Sequence, residues 1–84
     1  MNTTEYLARY ETAQNILSVL IAVNCETIYQ QQQKQSPDSV VIALCESQNS
    51  QYLDEDEKLY FRDDVNIERI IKTYGPKAKG LFAF

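Results

Sequence analysis

Residues 3–34 read TTEYLARYETAQNILSVLIAVNCETIYQQQQK, and the reading of this stretch decides the fold. It holds no glycine or proline, and at about 100° per residue Tyr6, Tyr10, Ala13, Leu17, Leu20, Ile21 and Ile28 fall on one stripe. The spacing predicts one amphipathic helix about 45–50 Å long at 1.5 Å per residue. Asn2 or Thr3 caps its start, and Asn2 followed by Glu5 has the spacing of a capping box. Written as heptads, Tyr10, Leu17 and Asn24 share one seam position, and Tyr6, Ala13 and Leu20 share the other.

From Ile16 to Val23 the apolar surface spreads sideways, because Ile16, Val19 and Val23 lie on a neighbouring face. One partner helix covers one face, so the middle of this helix is expected to lie between two elements. Ile16, Val19, Val23 and Asn24 are the candidate self-association residues, since a lone seam asparagine can set register and oligomeric state. The competing reading places Asn24 at the edge of an ordinary core.

The glutamine-rich patch Tyr29 to Gln35 reads as a solvated helix end. Ser36-Pro37-Asp38-Ser39 then looks like a helix start, with serine as N-cap and proline in the first helical position. A second helix running to about residue 57 is expected, antiparallel to the first. The apolar run Val40 to Cys45 also suits a buried strand. The alternative is therefore an α+β fold with short strands near 40–46 and 58–62. Asp63 and Asp64 are N-cap candidates for a short third helix carrying Ile67, Ile70, Ile71 and Tyr74. Glu68 and Lys72 have i,i+4 spacing in it, and Gly75-Pro76 is read as its stop. The sequence thus predicts an all-α fold: a helical hairpin plus a short third helix, in a single small domain spanning 1–84. The apolar end Leu81 to Phe84 calls for burial, on the chain's own core or on a partner.

A chain of 84 residues with 12 acids and 8 bases carries a formal charge of −4. So small a chain buries about 60% of its unfolded surface, and its core is correspondingly slender. Acids concentrate between Asp54 and Glu68, and Asp54, Glu55, Asp56, Glu57, Asp63 and Asp64 form a candidate acidic partner-binding patch. Four bases follow (Arg69, Lys72, Lys77, Lys79), too few and too close to the acids to favour direct nucleic-acid binding. The longest apolar run is far short of the roughly 20 residues a membrane helix needs, so no membrane association is expected. With no secretory pattern at the N-terminus, the expected location is the cytoplasm, with Cys25 and Cys45 as reduced thiols. They nonetheless fall at similar heights in a hairpin, where a disulfide is conceivable.

The sequence argues against an enzyme. With no histidine in the chain, the usual base for a serine or cysteine nucleophile is missing. The only two glycines, Gly75 and Gly80, form no phosphate-binding loop. Asp54 to Glu57 resembles the start of a calcium loop, but Lys58 and Leu59 stand where an oxygen ligand and a glycine are required. No cofactor or metal is expected. Two functions remain. The first is a non-enzymatic interaction module, a small regulatory or accessory protein that self-associates and binds a protein partner. The second is an acidic nucleic-acid mimic, such as a phage or mobile-element inhibitor, an antitoxin or an immunity protein, that blocks a nucleic-acid-binding protein.

Overall fold

Asn2 opens the first helix as the capping box requires: its side-chain oxygen accepts from the Glu5 N–H at 2.8 Å, and its amide donates to Glu5 Oε1 at 3.2 Å. The computed structural model describes residues 2–59 and 63–81. Three helices follow in order: α1 Thr3–Gln32, α2 Ser39–Lys58 and α3 Asp64–Leu81. No strand occurs among the described residues, so the all-α reading holds and 40–46 is helical. Of the alternative strand 58–62, Lys58 ends α2, while residues 60–62 lie outside the described residues.

Two local expectations need correction. The cap of α2 is Asp38 rather than Ser36, and helix begins at Ser39. Asp38 Oδ1 accepts from both Val40 N (3.0 Å) and Val41 N (3.2 Å), satisfying two of the free N–H groups that open a helix. The second concerns α3, which does not stop at Gly75-Pro76 but runs through it to Leu81. Proline disfavours helix at the preceding residue by clashing with its backbone N–H and its Cβ, and Gly75 has no Cβ. Packing then repays the lost hydrogen bond, because Ala78 beyond the proline is fully buried and Lys77 donates to Tyr52 Oη at 3.0 Å. Asp63 caps α3 as expected, accepting from Asn66 N at 3.0 Å.

Helix α1 is the shared wall. It packs against both α2 and α3, so the broad apolar belt has two partners within one chain. Asn24 meets Gln48 and Asn49, and nearer the turn Gln31 meets Asp38, so α1 and α2 run antiparallel. Arg9 pairs with Glu68, while Gly75 lies against Ile16, where an added Cβ would be 3.5 Å from Ile16 Cδ1. Both pairs rise together along the two helices, so α3 runs parallel to α1.

The core contains Ala13, Ile16, Leu17 and Leu20 of α1, Tyr52 of α2, Leu59, and Ile67, Ile70 and Ala78 of α3. Long side chains bridge α2 to α3: Tyr52 and Tyr74 meet edge-on with ring centroids 5.7 Å apart. The result is a rod of 52 × 25 × 15 Å with a radius of gyration of 14.7 Å. A compact chain of this length would have about 12 Å. The elongation has a simple origin: among the described residues, α3 covers only part of the α1–α2 hairpin.

Candidate protein-docking surface

The pairs Arg9–Glu68 and Ile16–Gly75 fix the offset between α1 and α3, and carrying it along both helices brings Leu81 level with Ala22. Beyond that level α1 continues to Gln32, about another 15 Å at 1.5 Å per residue. The partner there is the first half of α2. Among the described residues, the hairpin therefore projects past Leu81 as a two-helix arm.

The rows that seat α3 continue onto this arm. On α2, Val40, Leu44, Gln51 and Glu55 fall within about 60° of one another at 100° per residue. Lower down, Gln51 donates to Tyr74 Oη (3.4 Å) and Glu55 pairs with Arg69, so that row faces α3. Higher up, Val40 and Leu44 are 75% and 57% exposed. On α1 the matching row is Arg9, Ile16, Val23 and Thr27; its lower members touch α3, and Val23 and Thr27 are half-buried. Leu81 sits on the same side of α3 as the inward-facing Ile70 and Tyr74, yet it is 48% exposed where the crevice opens. Among the described residues, three large apolar side chains are thus exposed on this side of the arm and at the end of α3.

The four candidate self-association residues separate. Ile16 belongs to the core, and Val19 packs against it. Val23 lines the open crevice. Asn24 is committed within the hairpin, its amide donating to Gln48 Oε1 (3.1 Å) and Asn49 Oδ1 (3.0 Å). No family model, curated protein or solved structure matches the chain.

The six acids of the proposed patch also separate. Glu55 is buried, with Oε1 accepting from Lys58 Nζ and Arg69 Nη2 at 3.0 Å each, and Oε2 lying 2.7 Å from Arg69 Nη1. Hydrogen bonding from Arg69, opposed by burial and reinforced by Lys58, lowers its pKa from 4.5 to about 2. Asn66 steadies Arg69 by accepting from Nε at 3.0 Å. This ion cluster joins α2 to α3. Asp63 serves as a helix cap, whereas Asp54 and Glu57 point outward from α2 and Asp56 and Asp64 are half-buried. The structure does not bring the six carboxylates onto one surface.

Glu68 turns away from its expected partner Lys72 and meets Arg9 of α1 in a two-pronged contact, at 2.8 Å and 2.5 Å. The Arg9 guanidinium lowers the carboxyl's pKa. Both side chains stand largely in water, so the pair is worth no more than about 1 kcal/mol. Cys25 is exposed, Cys45 is buried, and both are free thiols. Among the described residues, no group of acids and cysteines could hold a metal ion, and no helix is long and apolar enough to cross a membrane.

Proposed function

We propose that this chain is a non-enzymatic protein-interaction module, a small regulatory or accessory protein that self-associates and binds a protein partner. The observation that carries this reading is the hairpin arm beyond Leu81, along which Val40 and Leu44 of α2 are exposed on the side that faces α3 lower down. Scattered apolar residues on a surface are ordinary, but a contiguous group marks a contact site. The arm suits such contact because it stands clear of α3 and offers two helices side by side.

Capture of partners from the host, using wild-type and Val40→Glu/Leu44→Glu baits, tests the reading. The double variant is expected to lose partners that the wild type retains. Identical partner sets, together with no self-association, would contradict it. The alternative of an acidic mimic loses support from the burial of Glu55 in its ion cluster, which leaves Asp54, Glu57 and Asp63 as the exposed members of the six. A mimic's binding would weaken steeply with salt; binding through the crevice would not.

A further inference from the structure

We draw no further inference here: the strongest candidate, the exposed apolar side of the hairpin arm at Val40 and Leu44, carries none because nothing in the structure shows what covers it.

Discussion

Replacing Glu55 by glutamine keeps its shape and removes its charge, leaving Arg69 and Lys58 facing a neutral amide. A carboxyl held at about pKa 2 instead of 4.5 prefers its charged form by about 3 kcal/mol at 1.36 kcal/mol per pKa unit. The two cations are 41% and 59% exposed, so water compensates part of the loss. The expected cost is about 1–2 kcal/mol. For a domain of this size that lowers the melting temperature by roughly 5–15 °C. The sign of the pH dependence follows from the lowered pKa. The carboxylate's contribution is complete above the ordinary value of 4.5 and fades as pH falls towards about 2. Thermal melts followed by circular dichroism at pH 7, 4 and 3 should therefore show the gap between wild type and Glu55→Gln closing as the solution is acidified. The exposed Glu57→Gln serves as control and should melt within about 2 °C of wild type. A Glu55→Gln protein that melts with the wild type at pH 7, or a gap that ignores pH, would refute the ion cluster as the tie between α2 and α3.

Two further substitutions probe the helices. Asn24→Leu removes two hydrogen bonds to the half-buried amides of Gln48 and Asn49, but those groups can turn to water while leucine adds apolar contact. Urea denaturation should place the variant within about 1 kcal/mol of wild type, and a loss above about 3 kcal/mol would mean that the amides have no access to solvent. Pro76→Ala returns an N–H to the middle of α3 at an exposed position. It should stabilise the protein by about 1–3 kcal/mol; a loss of stability would show that α3 ends before the proline.

Much of this fold is legible in the sequence because helix signals are local. The stripe on α1, the Asn2 cap and the Ile67–Tyr74 pattern each depend on neighbours within a turn or two. Even the need for two partners around Ile16 to Val23 follows from the width of the belt. Competing local signals produce the errors. Ser36 and Asp38 are both capable caps, and only the two N–H groups reached by Asp38 decide between them. Gly75-Pro76 reads as a stop until Ala78 is seen to be buried against the other helices. The surface is harder to read because its partners are distant in sequence. Arg69 lies 14 residues from Glu55, and Arg9 lies 59 from Glu68. Periodicity alone pairs Glu68 with Lys72 and leaves Glu55 among the solvated acids. The exposed side of the arm is further out of reach, since it depends on Leu81 of α3 standing level with Ala22, about two thirds of the way along α1.

The most direct test of that side of the arm as a contact surface is an amide NMR spectrum recorded as the protein is concentrated from 20 µM to 1 mM. Shifts are expected to concentrate at Val23, Thr27, Val40, Leu44 and Leu81, with the outward acids Asp54 and Glu57 unmoved. Shifts centred on those acids, or a spectrum unchanged across the range, would contradict it.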